Sequence, residues 1–234
     1  MGTAPAPEYG ETWVYESIIG ALPGISVSRG LALAIQLLLF EAGVLVFAAY
    51  YQLWSAAIAG TVAVLVAAIG SFEMLRISRI SRSVEVPPVY RRLLFGSSFE
   101  VVLAVLAYIA LVTHLFVFDP QQRGPQALVT QLFGPDPPVV VVYLTLLVLW
   151  DVCYRIGTNW WAAVTAVWRS FHLQLDTETR AVFRRVDLES IAFGTLQLVL
   201  VPFVLDQPVI LAALVAHVGA IAATNGLAIG LSYR

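Results

Sequence analysis

The sequence predicts an all-α protein: a polytopic membrane helix bundle of six transmembrane helices with both termini cytoplasmic. Three observations carry this. Of the 234 residues, 59% are hydrophobic and 12% are charged, about half the charged share of an ordinary soluble domain. The apolar residues fall in long blocks, and a block of about 20 crosses the hydrocarbon core as a helix. A helix satisfies its own backbone hydrogen bonds, which lipid cannot do. Arginines, finally, gather in alternate connecting segments, the asymmetry that orients multi-span chains.

Residues 1–30 are expected to form a cytoplasmic or interfacial N-terminal segment. Glu8, Glu11 and Glu16, with no basic start and no continuous apolar core, argue against a cleaved signal peptide. From Glu11 to Leu22 the pattern places Val14, Ile18 and Leu22 on one helical face with Trp13 beside them, which suits a helix lying flat on the interface.

Residues 31–234 read as the six-span domain. The spans are expected at Leu31–Tyr51, Leu53–Phe72, Ser98–Phe118, Val139–Asn159, Ser190–Leu205 and Pro208–Leu231. Gln52 alone, and the turn Asp206–Gln207–Pro208, leave room only for tight antiparallel hairpins. Arg76, Arg79 and Arg82 should extend span two until Pro87–Pro88 stops it. Asp176 is a natural N-cap for a cytoplasmic helix to about Leu188, with Val182, Phe183 and Val186 turned to the bilayer. Outside, Gln126–Phe133 is too short to span and reads as an interfacial turn. The basic loops 73–97 and 169–189 lie on one side and only Arg123 on the other, which sets the cytoplasmic side and the cell membrane as location.

Some function classes are excluded. All 13 basic residues are arginine, so a lysine Schiff base, a P-loop lysine and a lysine nucleophile are absent. Cys153 is the one cysteine, which leaves no internal disulfide and no cysteine metal cluster. No zinc spacing, dinucleotide loop or nucleic-acid module is present, and no cofactor or metal is expected.

The intramembrane candidates are Glu41 in span one, Asp151 and Arg155 one turn apart in span four, and His217 in span six. Ionisable groups at such depth cost about 2.5–3.5 kcal/mol on insertion scales, so each needs an account. One account is a polar pathway in which Glu41 and His217 exchange protons near the midplane while Asp151 and Arg155 set the field. Histidine suits this, with an unperturbed pKa near 6.5. The other makes Asp151–Arg155 a self-neutralised pair, or Arg155 a snorkelling side chain, and Glu41 and His217 hydrogen-bonded glue between helices. The second is preferred because no partner spacing is visible. Arg76, Arg79, Arg82, Arg91 and Arg92 are candidate contacts for anionic lipid, besides their orienting role.

Small residues supply the packing signal. Span two carries Ala56, Gly60, Ala63, Ala67 and Gly70, and span six Ala212, Ala216, Gly219, Ala223, Gly226 and Gly230. Such stripes let helix backbones approach closely, so spans two and six are expected at the centre.

Two resemblances follow from particular stretches. The lysine-free, Ala/Val/Arg-rich chain, with segments such as Asp151 to Gly157, resembles uncharacterised multi-pass membrane proteins of halophilic archaea, a likeness of composition that implies no activity. Ala216–His217–Val218–Gly219 looks like the histidine helix of rhomboid intramembrane proteases. The Gly-x-Ser nucleophile such an enzyme needs is missing from span four, which offers Thr145 and Cys153. The expected function is therefore a non-enzymatic structural or accessory membrane component, with a small proton- or ion-coupled transporter or channel as the alternative and an intramembrane enzyme behind both. Its expected partners are the lipid bilayer and a membrane protein or a second copy of itself.

Overall fold

The computed structural model describes Trp13 and residues 28–233. The interfacial helix expected over Glu11–Leu22 lies outside the described residues except for Trp13. Among the described residues there is no strand, and six helices are long and apolar enough to cross a membrane.

Helix α1 (Arg29–Tyr51) starts at Ser28, whose hydroxyl oxygen accepts the Leu31 N–H at 3.3 Å. It ends at Gln52, which adopts the left-handed conformation with φ 58°. That conformation closes a helix C-terminus and reverses the chain within two residues, and α2 (Trp54–Ser83) follows at once. The predicted tight hairpin is present. Helix α2 runs well past Phe72 and stops ahead of Pro87–Pro88, as the arginine-bearing extension predicts. Pro88 opens a short helix, α3 (Pro88–Gly96), which buries Tyr90, Leu94 and Phe95.

Helix α4 (Phe99–Thr113) passes into a π-helical turn over His114–Phe118 and then α5 (Asp119–Arg123). A 3-10 turn, Gly124–Gln126, leads to α6 (Leu128–Phe133). The expected interfacial turn is thus a short helix with Ala127 and Val129 buried. The Asp119 carboxylate accepts the Leu128 N–H at 2.7 Å, which ties the segment back against the bundle.

Helix α7 (Val139–His172) departs most from expectation, running through the predicted end at Asn159 for 34 residues in all. Nothing between Asn159 and His172 breaks a helix, and polar residues there are buried in protein. Helix α8 (Thr177–Leu196) begins at the predicted cap, where Asp176 accepts the Thr179 N–H at 2.9 Å. It continues directly into the fifth span, whose end over Gln197–Phe203 is 3-10 and holds Pro202. Phe183 and Val186 do not face the bilayer: both are buried in the protein core. Helix α9 (Pro208–Leu231) matches its predicted span.

The centre of the bundle is α7, which packs against α4, α9 and α2. It lies close against α4 at Gly157, where a Cβ would lie 2.6 Å from the Ala104 nitrogen and the Glu100 carbonyl oxygen. In α2 the small-residue stripe is packed as expected: a Cβ on Gly70 would lie 2.5 Å from Phe193 and 2.9 Å from the Arg155 Cβ. In α9 the expectation fails. Ala212, Ala216, Gly219, Ala223, Gly226 and Gly230 are all exposed, and nothing lies within 4 Å of a Cβ on Gly219, Gly226 or Gly230. The buried face of α9 is instead that of Ile221, Asn225 and Ala228.

Candidate functional site: a buried polar seam along α7

On α7, Asp151, Arg155, Asn159, Ala162, Ala166 and Arg169 follow one another at steps of three and four, and all are buried. Helical periodicity puts such positions on one face. The length of α7 carries that face from the apolar centre to the arginine-rich end of the bundle.

The upper part of the seam is the ion pair seen in the sequence. Arg155 Nη2 lies 2.7 Å from Asp151 Oδ1, with both side chains almost fully enclosed. Arg155 does not snorkel: it is 2% exposed and its other terminal nitrogen meets the Met74 sulfur of α2 at 3.8 Å. Gln36 of α1 is placed to hydrogen-bond the Asp151 carboxylate.

One turn further, Asn159 meets α8 and α9. The Ser190 hydroxyl donates to Asn159 Oδ1 at 2.6 Å, and Asn225 Nδ2 donates to the Ser190 oxygen at 3.1 Å. Three helices are joined at one hydroxyl. At the lower end Arg169 pairs with Asp187 of α8 at 2.7 Å and donates to the Tyr90 hydroxyl of α3 at 3.2 Å. Its guanidinium sits 4.2 Å above the centre of the Phe183 ring. A further pair closes the same end, where Arg76 grips both Glu189 oxygens at 2.6 and 2.8 Å.

Asn159, Ser190, Asn225, Arg169 and Asp187 are not singled out by the sequence. The available signal was the spacing from Asp151 to Arg169 with no helix breaker between. A span that ends at Asn159 divides that pattern in two.

Glu41 and His217 are not brought together. Glu41 of α1 accepts the Thr61 hydroxyl of α2 at 2.7 Å. His217 of α9 accepts the Trp160 indole N–H of α7 on its Nδ1, at 2.8 Å. Among the described residues no hydrogen bond joins the two. One turn beyond Glu41 lies a cavity of about 160 Å³ walled by apolar side chains, including Val44, Phe47, Leu115, Val141 and Leu144.

The arginines proposed for lipid do not form one cluster. Arg76 is held by Glu189, Arg91 donates to the Val84 carbonyl at 3.2 Å, and Arg82 lies 6.0 Å from the Phe95 ring centre. Arg79 and Arg92 are exposed. Outside the spans, hydrogen bonds from Thr179 hold the Asp176 carboxyl below the usual aspartate range. Among the described residues no group of three histidine, cysteine or acidic side chains is arranged to hold a metal ion.

Chemically, the seam pairs opposite charges within single helices and across them, and it ties α3, α7, α8 and α9 to one another. Neither a curated protein nor a solved structure matches the chain. Residues 8–228 match DUF7530, a family of unknown function, so the chain belongs to that family.

Proposed function

We propose that the protein is a non-enzymatic structural or accessory component of the cell membrane, with both termini on the cytoplasmic side and α7 as its fixed axis. The observation that carries this reading is the bond at His217. Because Nδ1 accepts the Trp160 indole N–H, the neutral ring keeps its own hydrogen on Nε2. Taking up a proton would place hydrogen on Nδ1 and expel the only hydrogen that indole can offer. A proton carrier needs a free acceptor nitrogen, and here that nitrogen is spent on joining α7 to α9. The orientation rests on the arginines, nine of which, from Arg76 to Arg185, gather at one end of the bundle while Arg123 lies at the other.

The test is the indole N–H resonance of Trp160 in detergent-solubilised protein, assigned through the loss of its hydrogen-bonded shift in His217→Phe. It should hold its position from about pH 5 to about pH 8, the range in which histidine ordinarily titrates. A sigmoidal shift across that range would show that His217 takes up protons, and would remove the support for a static role.

One observation favours the alternative, a small proton- or ion-coupled transporter. The Thr61 hydroxyl can donate to Glu41 in either protonation state of the carboxyl, so that contact alone does not prevent Glu41 from carrying a proton.

A further inference from the structure

At the end of the bundle away from the arginine-rich loops, α1, α2, α6 and α7 stand around the cavity of about 160 Å³. It is neither sealed nor a surface cleft. Apart from Gly60 and Thr145, every residue lining it is alanine, valine, leucine or phenylalanine. The Thr145 hydroxyl donates to the Val141 carbonyl of its own helix at 2.8 Å. A buried water needs several polar partners. This lining offers a single hydroxyl, already engaged, so the cavity suits an apolar guest and not water.

The chain shapes this space in three places. Helix α2 brings Ala56, Ala59, Gly60 and Ala63 to it, where longer side chains would close the gap. The π-helical turn at His114–Phe118 contributes Leu115 and Phe116, and such turns recur at functional sites. Helix α6 covers the space with Leu128, Val129, Leu132 and Phe133, while its Gln131 is exposed. The Asp119 carboxylate pins the start of this cover. Gly134 follows it with φ 85°, a conformation that glycine adopts without steric cost.

The surroundings point to the guest. Val46, Tyr50, Ile58 and Leu65 of α1 and α2 are exposed, so the walls of the cavity have the bilayer on their far side. A guest with a charged or hydrogen-bonding group would bury that group unpaired. A hydrocarbon has no such group to lose. Protein interiors are close-packed and voids destabilise them, and an apolar cavity of about 150 Å³ takes a guest of benzene's size.

We propose that this cavity is a binding site for a hydrocarbon group of about benzene's bulk, drawn from the bilayer and covered by α6. The end of a lipid chain and a free apolar molecule present the same chemistry to its walls. The site needs only the helices around it, so it stands whether the protein is a scaffold or a transporter. It also divides the small residues of α2 between two roles: Gly70 lets helices close on one another, whereas Ala56, Ala59 and Ala63 keep a space.

Thermal melts of the full chain test this, with benzene as the probe and a steroid-based detergent whose fused rings are too bulky for the cavity. Benzene should raise the melting temperature saturably, by roughly 2–4 °C. Ala63→Leu takes up part of the space, so it should melt higher than the unmodified chain without benzene and lose most of the shift. Leu132→Ala enlarges the cavity from its cover. It should melt lower alone and gain a larger shift, which keeps the test decisive if Ala63→Leu fails to fold. Gly219→Leu lies in open space on α9 and should respond to benzene like the unmodified chain. No shift in the unmodified chain, or one equal shift in all four proteins, would overturn the site. In vesicles, phosphatidylcholine with a diazirine midway along one acyl chain distinguishes the sources. Crosslinks at Leu115 or Val129, both buried, assign the cavity to a lipid chain. Crosslinks confined to exposed residues, with the benzene shift intact, assign it to a free apolar molecule.

Discussion

Replacing Asp151 by alanine would leave the Arg155 guanidinium 2% exposed and deprived of its carboxylate. Breaking a buried pair from one side typically costs about 3–5 kcal/mol, whereas replacing both partners by apolar residues of similar size is often neutral or stabilising. Asp151→Ala should therefore lower the melting temperature steeply, and Asp151→Leu with Arg155→Met should recover most of the loss. A double variant as unstable as the single one would mean that the pair's role is not mutual neutralisation. The pair was legible in the sequence because residues four apart share a helix face. The partners of Glu41 and His217 were not. Thr61 and Trp160 reach them across helix interfaces, and which residues meet there depends on the relative shift and rotation of packed helices, which spacing within one segment does not encode.

Helix boundaries are legible in the sequence where a turn enforces them, and not where polarity alone suggests an end. Gln52 and Pro208 bound their helices as expected, and Asp176 caps α8. Helix α7 ran on because Asn159, Thr165 and Arg169 are buried by α3, α8 and α9 instead of meeting water. The small-residue stripes show the same limit. Alanine and glycine abound in both α2 and α9, but only contact geometry tells a packed stripe from an open one. Gly157→Leu should drive α4 from α7 and destabilise by more than the usual 1–3 kcal/mol of overpacking, because the obstruction is backbone. Gly219→Leu, facing open space, should melt like the unmodified chain; a large loss there would put α9 at a second interface. The Asp176 cap adds a pH dependence. A carboxyl depressed in the folded state contributes stability that is fully present above its unfolded pKa and lost as pH falls through the folded value. Asp176→Asn keeps a capping oxygen, so its stability should lose that acid dependence in melts taken at decreasing pH.

For the whole molecule, composition and arginine distribution were enough to give six spans, because the cost of backbone and charge in lipid leaves few alternatives. The centre of the bundle was not legible, since it is set by which helix has both neighbours and polar partners on every side. The orientation has a direct check. Cys153 is buried, so single cysteines at exposed Gln122 and Thr177 should label from opposite faces of the membrane, Thr177 from the cytoplasm. Labelling of both from one side would contradict the six-span topology. The central claim is that the intramembrane polar groups join helices and do not carry protons. Proton flux in reconstituted vesicles under an imposed pH gradient measures this most directly, with Glu41→Gln as the paired variant. A fixed bundle gives no flux from either protein, and Glu41→Gln melts like the unmodified chain or slightly higher, since a costly ionisable group has left lipid depth. Flux through the unmodified protein that disappears in folded Glu41→Gln would contradict the account.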